Sequence, residues 1–233
     1  MKKLVQGILL KKINYSETSL ILHFFTLEEG FQGFIYQGAR KKKRSHPLHA
    51  LSLLEIECYY RNDSELGKIT GVHNRYTFQS VPFDPYKSGV AFFIAEVCHQ
   101  CLKNPEKEAS LFYFLEAMIK ELDERENIAD FPLIFLIQLT RYLGITPQVE
   151  TDSPRILDCK EGEIIAYRPT HKAYIEDETV PVLAQALASK EINIKVERKI
   201  RRKLLHNLID YYAYHIDSFK SPKSLQVLET IFS

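Results

Sequence analysis

LVQGILLKKINYSETSLILHFFTLEEGFQGFIYQG, Leu4 to Gly38, alternates in steps of two. Leu4–Ile13 and Thr18–Thr26 are rich in β-branched, Leu and Phe residues, and the polar break NYSE lies between them. That pattern is one of half-buried strands rather than helices, because successive side chains on a strand point to opposite faces. Glu28–Gly30 turns the chain into FQGFIYQG. Two further strands are expected in LSLLEIECYYR (Leu51–Arg61) and, past the turn RNDSELG, in KITGVHN (Lys68–Asn74). Five short strands within about 75 residues predict a small, closed β-barrel, and an OB-type barrel is the best match among five-stranded architectures.

Beyond Asp84-Pro85 the period changes to that of a helix. Lys87–Lys103 carries Val90, Phe93, Ile94, Val97 and Cys101 at three- and four-residue steps, and Glu108–Glu124 repeats the pattern with Leu111, Phe114, Leu115, Met118 and Leu122. Asp130 stands in the N-cap position of FPLIFLIQLTRYLG, which is nearly all apolar, belongs inside a bundle and stops at Gly144. Residues 148–177 are irregular and polar with short strands, and helices resume in VPVLAQALA, VERKIRRKLLHNLIDYYAYHI and KSLQVLETIF. The expected class is α+β: residues 1–80 an OB-fold domain, residues 81–233 a helical domain with an irregular insertion at about 148–177, and a boundary near Val81-Pro82.

Composition excludes several classes. A hydrophobic fraction of 45% with 26% charged residues is that of a globular chain. No apolar run approaches the ~18 residues of a membrane span, and Lys11 and Lys12 break the N-terminal MKKLVQGILLKKINYSE, which does not read as a signal peptide. The expected location is the cytoplasm. Cys58, Cys98, Cys101 and Cys159 make no disulfide framework, and Cys98-x-x-Cys101 has no second half of a zinc site, so core cysteines are the plain reading. No phosphate-binding GxxxxGK[ST], GxGxxG, HExxH or GxSxG is present. A non-catalytic protein without cofactor is expected.

The net charge is only +1, so a polyanion signal has to be local. It is concentrated in two places. Arg40, Lys41, Lys42, Lys43 and Arg44 follow one another between the third and fourth strands. Five like charges in a row repel one another, and a phosphate backbone would neutralise them. KVERKIRRK, Lys195–Lys203, holds six cations and one anion on a helix whose apolar stripe is Ile200, Leu204 and Leu208. Among the barrel aromatics Phe31, Phe34, Tyr36, Tyr59, Tyr60 and Tyr76, most of which are core, Tyr36 is the expected base-stacking residue because it adjoins the basic run.

The run GARKKKRS (Gly38–Ser45), preceded by ILLKKINYSETSLILHFFTLEEG, resembles the N-terminal signature of the bacterial RecO family of recombination mediators. FPLIFLIQLTRYLGITP is similar to that family's helix ending in Leu-Gly-x-x-Pro, and KSLQVLE to its C-terminal segment, so the resemblance spans nearly the whole chain. It implies an OB-fold followed by helices, binding of single- and double-stranded DNA, annealing of complementary strands, and action with RecR to load recombinase onto DNA coated by single-strand-binding protein (SSB). It supplies a partner, the acidic, apolar-ended SSB tail, for a groove expected in the helical part, where the residues themselves offer Arg141 near the end of Phe131–Gly144 and Arg198, Arg202 and Lys203 beside Ile200 and Leu204. Many members hold zinc in two Cys-x-x-Cys pairs. Here Gln148–Glu178 contains only Cys159, so no metal is expected and packing by Ile156, Leu157, Ile164, Ile165 and Tyr167 should hold that segment instead. Two other readings stay open on the residues alone: an OB-plus-helices module that binds RNA or ribosomes, and a scaffold that receives acidic partner tails.

Overall fold

In the computed structural model, which describes residues 2–40, 48–60, 66–103, 106–189, 194 and 196–232, the first strand serves two neighbours. The first half of β1 (Lys2–Asn14) pairs antiparallel with β4 (Leu53–Tyr59), and its second half with β2 (Leu20–Thr26). A bulge between Leu9 and Lys11 allows this, because the extra residue raises the local twist and bends the strand. β3 (Gly30–Tyr36) returns along β2. β5 (Gly67–Asn74) pairs antiparallel with β4 and closes in parallel on the end of β3, Phe34 opposite Gly67 and Ile35 opposite Lys68. The order β1-β2-β3-β5-β4 is a closed barrel of OB type. Closure depends on Gly67: a Cβ there would stand 2.5 Å from the Phe34 ring.

Alternation decides which side chains fill the barrel. Val5, Leu9, Leu20, Leu22, Phe24, Phe34, Tyr36, Leu54, Ile56, Cys58 and Ile69 form its core, with Phe24 and Phe34 edge to face at 5.8 Å. Each fully buried Leu, Ile or Phe is worth ~1.5–3 kcal/mol. The outward side of β2 and β3 is not bare. α1 (Pro85–Cys101) and α2 (Ala109–Glu124) bring His99 against His23 and Phe31, and Phe112 against Phe25. α1 starts where the sequence places it: the Asp84 carboxylate accepts from the N–H groups of Tyr86 (2.8 Å) and Lys87 (3.3 Å), and Pro85 needs no partner for its nitrogen.

The irregular segment that leaves β5 is fastened to these helices by Asp123, which is 2% exposed. Its carboxylate accepts from the N–H groups of Gln79 (2.7 Å), Ser80 (2.9 Å) and Val81 (2.8 Å) and from the Tyr76 hydroxyl (2.9 Å). The buried Lys87 ammonium donates to the Asp123 carbonyl and to Ser80 Oγ, each at 2.7 Å. Burial alone would raise the Asp123 carboxyl; these donors hold it below its usual value, while burial and that carboxylate push the Tyr76 hydroxyl up to about 12. The chain parts into two compact units: one is Met1–Glu126 with Gln226–Ile231, the other Asn127–Leu225 with Phe232–Ser233.

In the second unit α3 (Phe131–Leu143) is buried along nearly all its length and ends at Gly144, left-handed at φ 69°. Asp130 does not cap it. Its backbone is already helical and Pro132 removes one of the N–H groups a cap would satisfy, so the carboxylate takes Arg201 at 3.2 Å instead. The irregular stretch forms a four-stranded sheet of β6 (Gln148–Val149), β7 (Ile156–Asp158), β8 (Glu163–Ile165) and β9 (Tyr174–Ile175), in the order β6-β8-β7-β9. Ile156, Leu157, Ile164 and Ile165 are buried as expected. Tyr167 is not: it lies past the end of β8 and is 74% exposed. α4 (Thr179–Ala188) and α5 (Arg198–His215) follow, and α5 is locked to α3 by the Tyr212 hydroxyl on the Leu136 carbonyl (2.7 Å) and by Tyr211 on that of Ile145 (2.8 Å). α6 (Ser224–Ile231) returns, setting Ile231 over Gly89 within the first unit.

Candidate nucleic-acid interface

Gly38, left-handed at φ 70°, turns the chain out of β3, and Ala39 tucks into the barrel core. Arg40 is the one member of the basic run among the described residues; Lys41, Lys42, Lys43 and Arg44 lie outside them. Arg40 is exposed, and its N–H donates to the Thr18 carbonyl at 3.3 Å, which ties the root of the basic connection to the β1–β2 turn. That turn is closed by the Tyr15 and Ser16 N–H groups on the Ser19 carbonyl, and it presents Tyr15 at 61% exposure. Two exposed lysines at the end of β1 adjoin it, Lys11 and Lys12, and the Lys12 ammonium holds the Leu48 carbonyl at 3.2 Å on the far side of the same connection. One end of the barrel therefore gathers Lys11, Lys12, Arg40 and an open tyrosine.

Tyr36 is not that tyrosine. Phe34 and Tyr36 share the inward face of β3, and Tyr36, 7% exposed within the barrel core, has no ring face to offer a base. Phe31 is spent on His23 and His99, Tyr60 donates to Glu29 and Gln32, and Tyr76 donates to Asp123. Tyr15 escaped the sequence reading because it sits in a polar break, yet that is its signal: an aromatic ring in a tight turn between two strands has no core to enter.

The outer face of β2–β3, where OB-folds commonly receive oligonucleotides, is where α1 and α2 pack. Its centre is a histidine pair, His23 Nδ1 and His99 Nε2 at 2.8 Å with rings stacked 4° from parallel. Burial, then Lys11, lowers both, His99 to about 4, so the pair is neutral near pH 7.

The four cations expected to line a groove in the helical part all belong to the second unit, but not to one slot. Arg198, Arg202 and Lys203 stand on the first turns of α5, where Arg201 meets Asp130. Arg141 is exposed in the last turn of α3, eleven residues from Asp130 or ~16 Å along the helix. Lys203 is committed within its own unit, to Asp177 at 3.4 Å and Glu178 at 2.9 Å, and these carboxylates raise its ammonium. Leu204 and Leu208 of the expected stripe are buried.

Comparison with known proteins agrees with this architecture. The family model for the recombination protein O N-terminal region matches residues 1–78, and the model for its C-terminal region matches residues 82–225. The chain belongs to the RecO family. It is 34% identical over 242 residues to the DNA repair protein RecO of Flavobacterium psychrophilum, with 98% of each chain covered, and 35% identical over 238 residues to that of Flavobacterium johnsoniae at the same coverage. The RecO protein of Phocaeicola vulgatus is 32% identical over 235 residues, covering 97% of this chain and 98% of its own.

The zinc held by many RecO proteins does not fit the residues here. Cys159 is a lone cysteine in its segment and is buried, and burial pushes its thiol up to about 12. The neighbouring Asp158 carboxylate is occupied by the N–H groups of Lys160 (2.9 Å) and Glu161 (3.0 Å) and by His171 Nε2 (3.0 Å). Among the described residues no three His, Cys, Asp or Glu side chains come together as a ligand set, and no helix is long and apolar enough to cross a membrane.

Proposed function

We propose that this RecO protein acts in DNA repair and recombination as a non-catalytic, cofactor-free mediator in the cytoplasm, associated with the nucleoid. It binds single- and double-stranded DNA through Arg40–Arg44, anneals complementary strands, and works with RecR to load recombinase onto DNA coated by SSB. The observation that carries this reading is the end of the OB-type barrel, where Arg40, the first of five cations consecutive in the sequence, is tied to the turn of exposed Tyr15 next to exposed Lys11 and Lys12. Annealing needs no nucleophile, metal or nucleotide: it requires that two polyanions be held close with their repulsion screened while bases pair. In this reading the barrel, expected over residues 1–80, binds DNA and the helical residues 81–233 meet partners, with Arg198, Arg202 and Lys203 on α5 and, at the other end of α3, Arg141 offering charge to the SSB tail.

The test is a salt titration of binding to an unstructured single strand, with annealing of complementary oligonucleotides followed in the same buffers. Five phosphate contacts give a slope of log K against log salt near −0.7 × 5, about −3.5. A slope near zero, or binding confined to RNA or to an acidic peptide, would overturn the reading in favour of the RNA-binding or scaffold alternatives.

A further inference from the structure

We propose that the outer face of β4–β5 is a second contact for single-stranded DNA, with Tyr59 as a base-stacking platform beside Lys68. The inference rests on the DNA-binding reading and adds the route a strand takes after the basic run. Four residues line up across the barrel by strand register: Ile35 opposite Lys68, Lys68 opposite Tyr59, and Tyr59 opposite Lys2. All four point outward, since Val5, Phe34, Cys58 and Ile69, one or three residues away on the same strands, fill the core. Adjacent strands are ~4.8 Å apart, so the Tyr59 backbone lies roughly 10 Å around the barrel from Ile35, and Ile35 precedes Arg40 by five residues. A strand held at Arg40 therefore has at most ~27 Å to cross to Tyr59, five residues of extended chain and two strand spacings.

The chemistry of the row suits a single strand. Tyr59 is half-buried, and the Lys68 ammonium stands over its ring at 5.9 Å, a loose cation–π contact that a base and its phosphate can replace with one stacking and one charge interaction. Lys2 contributes less, because Glu57 holds it at 2.6 Å. The opposite outer face is closed to this role by His99 and Phe112 of the chain's own helices. Duplex DNA offers its phosphates to the basic run but no unstacked base to Tyr59, so the platform discriminates single strands from duplex.

The chain contains no tryptophan, which makes Tyr59→Trp a unique fluorescent reporter on the folded full-length protein. The expected result is quenching of its emission by oligo-dT and little change with duplex. Tyr59→Ala should weaken single-strand binding by ~5- to 150-fold with duplex binding unchanged, while Tyr59→Phe retains wild-type affinity. An unquenched Tyr59→Trp that still binds oligo-dT would overturn the platform and leave the basic-run reading standing; so would equal loss of single-strand and duplex binding in Tyr59→Ala. If wild type binds neither nucleic acid, the DNA-binding reading itself falls and the platform with it.

Discussion

Arg40–Arg44 and Lys195–Lys203 look alike as sequence, but the fold treats their surroundings differently. The second run begins α5, and two of its cations are answered by their own unit: Arg201 by Asp130, Lys203 by Asp177 and Glu178. The first run has no acidic residue between Tyr36 and Leu48 in the sequence, and its described root, Arg40, donates its backbone N–H to a turn that also exposes Tyr15. A charge run in a helix can finish an intramolecular ion-pair network, whereas the role proposed for Arg40–Arg44 needs charge that is available to an outside polyanion. Counting cations does not separate the two cases, whereas finding their counter-ions does.

The strongest way to break this contrast is to neutralise the first run. Lys41→Ala, Lys42→Ala and Lys43→Ala together remove three of five cations, so the single-strand salt slope should flatten from about −3.5 to about −1.4. At 0.15 M salt that is a loss of roughly 50-fold in affinity, alike for all sequences, with the melting temperature unchanged. Fluorescence anisotropy across a salt series measures both. An unaltered slope would put the phosphate contacts elsewhere.

A smaller effect sharpens the parallel contrast between the barrel's covered and open faces. His23 and His99 are lowered by burial against α1, with Lys11, Lys103 and Glu96 as the charged groups around them and Phe31 packed on both. A depressed histidine favours the neutral form in the folded state, whereas the unfolded chain takes up the proton below ~6.5. Their stabilisation is therefore complete above ~pH 6.5 and declines as pH falls toward about 4, the value for His99. The half-buried site limits the slope to less than the ~1.4 kcal/mol per pH unit of one full proton. His99→Phe should flatten thermal stability between pH 6.5 and 4.5, above the range where Asp123 takes up its proton. A pH dependence identical to wild type would show that the covered face does not titrate.

Third in size is the mirror of the lysine variant. Arg201→Ala breaks a part-buried pair with Asp130 and should cost ~1 kcal/mol, and Lys203→Ala less because its partner Glu178 is exposed. At this chain length the combined melting shift is ~2–4 °C, with the DNA salt slope unmoved. A slope that flattens with Arg201 and Lys203 would make the two basic runs equivalent after all.

Much of the fold was legible because local signals agreed with one another. The period-two strands, Asp84-Pro85 before α1 and Gly144 after α3 each act within a few residues. What could not be read depends on distance in sequence. The parallel closure of β3 on β5 is fixed by a glycine meeting Phe34 thirty-three residues away. Alternation paired Phe34 with Tyr36 correctly but not with a side, and the side decided that Tyr36 is core. Asp130 has the residue type of a cap, and an arginine 71 positions later competes for it. In the candidate interface the basic run was visible at once, whereas Tyr15 and Tyr59 became distinguishable from core aromatics only when the barrel's inward set was known.

The smallest expected effect is that of metal removal, which probes whether the second unit is as self-contained as its charge pairing suggests. The β7–β8 turn closes on Asp158, whose carboxylate gathers two backbone N–H groups, with Gly162 left-handed at φ 74° and its N–H on the Asp158 carbonyl at 3.0 Å. His171 reaches the same carboxylate from the approach to β9, joining both sides of the small sheet without an ion. Ile156, Leu157, Cys159 and Ile164 are buried beneath it. The first unit's cysteine pair is no reserve of ligands either, since burial raises Cys98 well above its usual value and Cys101 to about 12, and a zinc ligand must be a thiolate. Protein purified without chelator should contain no stoichiometric zinc by elemental analysis, and added chelator should leave its melting temperature unchanged. Asp158→Ala should then lower that temperature by several degrees, because two part-buried N–H groups and His171 lose their acceptor. Stoichiometric zinc, or a chelator effect as large as that of Asp158→Ala, would mean that an ion and not this carboxylate holds the segment.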